Sequence, residues 1–116
     1  MQPRRGDVVL VLFPNSDLRT AKRRPALVIQ APNLDAGLPQ TLVAMITSNL
    51  ARAGHPSRVA VRLESPEGRA AGLRTDSVIM ADNIATVADS EIDSVLGGFP
   101  EMTAVDAALK HTLALP

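Results

Sequence analysis

The sequence predicts an α+β domain, mainly β, in which a strongly bent antiparallel sheet carries one C-terminal helix. Three observations predict it. Short β-rich or alternating apolar runs recur along the first hundred residues, and clusters of Pro, Asn, Asp, Ser and Gly separate them. The helical period of three and four appears only after Pro100. At 116 residues with 46% hydrophobic content, the chain forms one domain with a single core and excludes disorder as its main state.

Asp7 to Phe13 is a β-rich run ended by the turn formers Pro14-Asn15-Ser16-Asp17, which gives a first strand. A long polar loop follows to about Arg23, with Arg19, Lys22 and Arg23 in it. Ala26 to Gln30 is the second strand and Thr41 to Ile46 the third, closing on Thr47-Ser48-Asn49. From Ser57 to Leu63 polar and apolar residues alternate, so a half-buried fourth strand carries Arg58 and Arg62 on one face. Ser65-Pro66-Glu67-Gly68 reads as a turn. Ser77 to Ala81 is the fifth strand, followed by Asp82-Asn83, the short Ile84–Val87 segment, a helical turn over 88–92 and a small strand near Val95–Phe99. From Glu101 to Leu115, Met102, Val105, Leu109, Thr112 and Leu113 share one helical face, and Asp106 and Lys110 form an i,i+4 pair outside it. His111 falls opposite that stripe and is expected in solvent.

Composition removes several function classes. With no cysteine and only His55 and His111 as imidazoles, disulfides, thiolate metal sites, cysteine nucleophiles and a histidine-driven hydrolase have little to work with. Phe13 and Phe99 are the only rings, too few for a generic single-strand coat that stacks bases on aromatics. No apolar run reaches the ~20 residues of a membrane span, and residues 1–7 lack the apolar core of a signal peptide, so a cytoplasmic protein with no membrane partner is expected. Gly97-Gly98 has no following Lys-Ser/Thr, which argues against a nucleotide hydrolase. The formal charge is zero but uneven: residues 1–24 hold six Arg/Lys against two Asp/Glu, and residues 64–116 three against nine. A basic N-terminal segment can bind a polyanion locally if folding gathers it on one face.

The run Arg23-Arg24-Pro25-Ala26-Leu27-Val28-Ile29 joins that basic segment to an apolar strand. Pro25 restricts Arg24 to extended backbone angles, so its guanidinium leaves the chain in a restricted direction at the strand mouth. A planar fork held this way suits a phosphate or carboxylate, although an ordinary solvated arginine at a strand end would look the same.

Arg5-Gly6-Asp7-Val8, the Arg24-Pro25 run, Ile46-Thr47-Ser48-Asn49 and Asp76-Ser77-Val78-Ile79 with Asp82–Val87 occur in an order and spacing that resemble the MazF/PemK toxins over nearly the whole chain. The resemblance implies an SH3-like antiparallel barrel that pairs as a homodimer. It implies the toxin of a type II toxin-antitoxin system, a metal-independent endoribonuclease that needs no cofactor and cuts single-stranded RNA at short sequences. It further implies a cognate, MazE-like antitoxin whose disordered tail covers the RNA groove, and contact with DNA only indirectly through that antitoxin. Arg24 falls on the family's Arg-Pro motif and Thr47 on the threonine that ends its third strand, which makes these two the expected catalytic residues. Arg5, Lys22, Arg23, Ser48, Asn49, Asp82 and Asn83 are the expected substrate-binding residues.

Metal-free cleavage uses the substrate's own 2′-hydroxyl, so the protein must stabilise the charge that develops at phosphorus. Arg24 suits that role better than proton donation, because a guanidinium gives up a proton reluctantly. Thr47 can orient the phosphate or relay a proton, and Asp82 is an alternative base or a turn-capping residue. Asn83-Ile84-Ala85-Thr86 lacks the arginine that many members carry at the place of Ala85, and Met80 stands where carboxylate-using members have another. Both departures weaken an acid–base scheme centred on Asp82. Two other functions compete: a gyrase-poison-like toxin of the same fold, which the absence of tryptophan disfavours, and a catalytically silent component of an antitoxin repressor complex.

Overall fold

The computed structural model describes residues 3–116 of the chain. Strands β1 (Asp7–Pro14), β2 (Ala21–Val28), β3 (Gln40–Thr47), β4 (Arg58–Val61), β5 (Ser77–Ala88) and β6 (Ile92–Gly98) form one antiparallel sheet in the order β4-β5-β3-β2-β1-β6. Helix α1 (Pro66–Ala71) lies between β4 and β5, and helix α2 (Thr103–Leu113) follows β6.

The unbroken apolar run of β1 has a physical cause: both of its faces are buried. Val8 packs with Leu27, Ile29, Ala44, Ile46 and Ile79 into one core, which Phe99 and Val105 of the C-terminal segment also join. Val9, Val11 and Phe13 point the other way into a second core with Ala26, Val28, Val43, Val87 and Ile92. A sheet covered on one side alternates, whereas one covered on both sides reads as continuously apolar. Phe13 is only 1% exposed, a burial that stabilises by roughly 1.5–3 kcal/mol.

The sheet's own bend encloses the second core. Along β3 and β5 the register runs from Gln40↔Ala88 to Ala44↔Ile84 and resumes at Met45↔Met80, so residues 81–83 bulge out of the ladder. Such a bulge turns a strand sharply. The first half of β5 therefore carries β4, while its second half brings Val87 over the second core.

The bent sheet stays open, because β4 and β6 share no ladder. Helix α1 meets β6 through glycine backbones. A Cβ on Gly72 would lie 2.1 Å from the Leu96 carbonyl oxygen, and one on Gly97 would lie 2.3 Å from that of Ala70. Gly72 also ends α1 in the left-handed conformation, φ 70°, which glycine adopts without strain.

Several local expectations change. Lys22 and Arg23 belong to strand β2, paired with Phe13 and Leu12, and the loop between the first two strands shrinks to residues 15–20. The expected turn at Ser65–Gly68 is the start of α1, with the Ser65 hydroxyl capping the Gly68 N–H and Pro66 at its first position. In α2, Val105 and Ala108 are the buried positions, while Leu113 is exposed. His111 is in solvent as expected, with its ring edge-on to His55.

Candidate active site

The pairing of β2 with β3 stops at Ala26↔Met45. Beyond that point the two strands follow different partners. Arg24 and Arg23 stay with Val11 and Leu12 of β1, and Ile46 and Thr47 stay with Ile79 and Val78 of β5. The sheet splits there, and a cleft of about 420 Å³ opens between the diverging ends.

Arg24, Thr47, Lys22, Arg23 and Ser48 all line this cleft. Leu10, Pro25, Ile46 and Leu96 contribute apolar wall, and the turn Gly72-Leu73-Arg74-Thr75 completes the lining. Four cations, Lys22, Arg23, Arg24 and Arg74, therefore border it, and no carboxylate or imidazole is among the lining residues. A cavity of that sign draws anions.

The Arg24 guanidinium is half-buried. Its Nη2 donates to Asn15 Oδ1 at 3.1 Å, while its buried Nε has no protein partner. The Asn15 amide donates in turn to Thr20 Oγ1 at 2.9 Å, and Thr20 donates to the Asp17 carboxylate. Asp17 also accepts the backbone N–H of Arg19 and Thr20; these bonds hold its pKa below the usual carboxylate value. A closed loop of polar contacts thus fixes one end of the guanidinium. Sequence reasoning missed Asn15, whose only signal was its place among the turn formers after β1.

Thr47 Oγ1 accepts the backbone N–H of Asn49 at 3.1 Å, which leaves its O–H to donate. Asn49 caps a short 3-10 turn over Leu50–Arg52 by accepting from Ala51 N–H, and it does not line the cleft. Arg23 is ion-paired with Asp93 of β6. Arg74 was missed by sequence reasoning, because a lone cation before a strand carries no pattern.

Asp82 lies outside the cleft at the β5 bulge, where Arg58 grips both its oxygens, at 2.8 and 3.3 Å. That bond, ahead of all other causes, depresses the Asp82 pKa and makes it a poor proton acceptor. Asn83 also lies outside, its amide 3.6 Å from Met45 Sδ. Arg5 is likewise elsewhere, donating from Nε to the Ile29 carbonyl at 3.1 Å and pairing with Asp106 of α2. At the places of the absent arginines, Ala85 is partly buried against the second core and Met80 is 8% exposed. A larger recess of about 820 Å³ under residues 31–39 includes Arg4, Arg5, Asp35 and Asp89, but neither Arg24 nor Thr47.

Residues 4–113 match the family model described as the PemK-like, MazF-like toxin of type II toxin-antitoxin systems. The chain belongs to this family. Endoribonuclease MazF2 of Mycobacterium bovis and endoribonuclease MazF6 of Mycobacterium tuberculosis are each 35% identical to it over 107 residues, 90% of this chain and 90% of the relative. Among solved structures, an endoribonuclease from a mycobacterial species superposes with a TM-score of 0.73 at 24% identity, covering 100% of this chain and 95% of that one. The Deinococcus radiodurans MazF in a MazE–MazF complex gives 0.72 at 21% identity, with 100% of both chains covered. These likenesses show that the open six-stranded sheet with its C-terminal helix is the MazF fold.

Proposed function

We propose that this MazF-family toxin endoribonuclease cuts single-stranded RNA in the cleft where β2 and β3 part, with Arg24 and Thr47 acting on one phosphodiester. The carrying observation is that these two residues, far apart in sequence, line one cleft whose lining residues include four cations and no carboxylate. The 2′-oxygen attacks phosphorus, the bond to the 5′-oxygen breaks, and the products are a 2′,3′-cyclic phosphate and a free 5′-hydroxyl. The 2′-proton leaves to water and the 5′-oxygen takes one from water, because no lining side chain is a carboxylate or an imidazole. Arg24 stabilises the added charge on the non-bridging oxygens, and the Thr47 hydroxyl donates to one of them. Lys22, Arg23 and Ser48 lie where flanking phosphates and sugars would run.

The D. radiodurans and mycobacterial complexes contain an antitoxin beside the toxin. By the same chemistry, an acidic antitoxin segment laid over this cleft would exclude RNA. A homodimer would cover Val95, Leu113 and Leu115, apolar residues between 44% and 55% exposed. The cytoplasm, where RNA and an antitoxin would meet it, is its proposed site of action. A long RNA incubated with the protein in EDTA and mapped by primer extension tests the reading. Discrete cuts with cyclic-phosphate ends, lost in a folded Arg24→Ala variant, are the expected result; intact RNA overturns it.

A further inference from the structure

Arg74 lines the same cleft as Arg24 but comes from the turn before β5, and its backbone is pinned from several directions. Upstream, Gly72 closes α1 and lies so near the Leu96 carbonyl that only glycine fits. Downstream, the Asp76 carboxylate accepts the Leu63 N–H at 2.8 Å, and the Ser77 hydroxyl donates to the Thr75 carbonyl at 2.9 Å. The turn is therefore rigid at both ends, while the side chain it presents is exposed. Of the cleft's cations, Arg23 is held by Asp93 and Arg24 by Asn15. Among the described residues, Arg74 and Lys22 have no hydrogen-bond or ion-pair partner, and only Arg74 comes from outside β2. A free guanidinium on a fixed turn, inside a cation-lined cleft, is built for an anion that offers two oxygens, as the non-bridging pair of a phosphodiester does.

We propose that Arg74 forms a second phosphate subsite, gripping a phosphodiester next to the scissile one and setting the course of the RNA strand across the cleft. This rests on the reading of Arg24 and Thr47 as the site of cleavage. Arg74 binds ground state and transition state alike, because it touches a phosphate that does not react. Its loss raises KM and leaves kcat alone. Its contact also releases counterions, so it contributes about 0.7 to the slope of log affinity against log salt for a single strand.

The test uses the full chain and an RNA oligonucleotide spanning a mapped cut, with a 2′-deoxy sugar at the cut to block cleavage during binding. Arg74→Ala is expected to weaken binding about threefold at moderate salt, in keeping with one exposed charge contact. Its salt slope falls by about 0.7, so over a tenfold rise in salt it loses about fivefold less affinity than the parent. On the cleavable RNA its kcat is unchanged, and Arg74→Lys restores the slope. Arg24→Ala, run in parallel, loses kcat. An unchanged slope and affinity in Arg74→Ala, with activity lost in Arg24→Ala, overturns the subsite alone. Full activity in Arg24→Ala overturns the catalytic reading instead.

Discussion

Replacing Arg24 by alanine separates catalysis from folding, because the local contacts nearly cancel. The substitution removes the Nη2 bond to Asn15, a charged hydrogen bond worth about 1.5–3 kcal/mol. It also removes the buried Nε, which has no protein partner and carries a desolvation cost of about 1–3 kcal/mol. Stability should therefore change by no more than about 2 kcal/mol in either direction, a shift of at most about 10 °C in Tm for a domain of this size. The chemical step should fall much further. Loss of one preorganised donor aimed at developing charge costs roughly a hundred- to a thousandfold in kcat, equivalent to about 2.7–4 kcal/mol. Single-turnover cleavage of an RNA spanning a mapped cut measures the second quantity, and thermal melting of the same sample the first. Arg24→Lys restores charge without the fork and is expected to recover only part of the rate. A variant that melts near the parent temperature yet cleaves within tenfold of its rate would refute the role assigned to this guanidinium.

Other outcomes follow from the same geometry. Asn15→Ala frees the guanidinium end that Asn15 holds, so kcat is expected to drop about tenfold with KM little changed; equal losses in Asn15→Ala and in a distant loop variant would count against positioning. Gly97→Ala drives a Cβ to 2.3 Å from the Ala70 carbonyl oxygen and should cost more than about 2 kcal/mol in urea unfolding. Asp82, its pKa depressed by Arg58, contributes stability that is present above the ordinary carboxylate pKa of about 3.9 and is lost as pH falls through its lower folded value. Asp82→Asn should therefore flatten the acid limb of a stability profile while leaving RNA cleavage at neutral pH intact, and a large loss of kcat would return Asp82 to the catalytic site.

Much of this was legible in the sequence, for reasons that differ by element. The strand cores and the C-terminal helix announce themselves by period, and the Arg24-Pro25 step and Thr47 by motif, and the fold brings both of these residues to one cleft. The β2 extension through Lys22 and Arg23 could not. Its residues are exposed, and a solvated hairpin arm carries no apolar signal. Helix α1 had a Ser cap, an N-terminal Pro and a terminal Gly, yet with six residues and Gly68 inside, it looks like a turn. Gly68 is there because a Cβ would meet the Arg62 carbonyl oxygen at 2.1 Å, a fact only the fold contains. Arg58 and Asp82 are separated by 24 positions, and their pairing depends on the β4–β5 register. That pairing holds Asp82 at the β5 bulge, outside the cleft.

The two-sided burial of β1, β2 and β3 bears on how such a toxin can be disarmed. Leu27 fits one core and Ala26 and Val28 the other, so sliding β2 by a single residue would exchange a large side chain for small ones and rotate Arg24 to the opposite face of the sheet. Alignment of the pair proposed to act on RNA is thus inherited from hydrophobic matching elsewhere in the sheet. Substitutions deep in either core, chemically silent and invisible from the cleft, can extinguish toxicity by misaligning two residues they never touch.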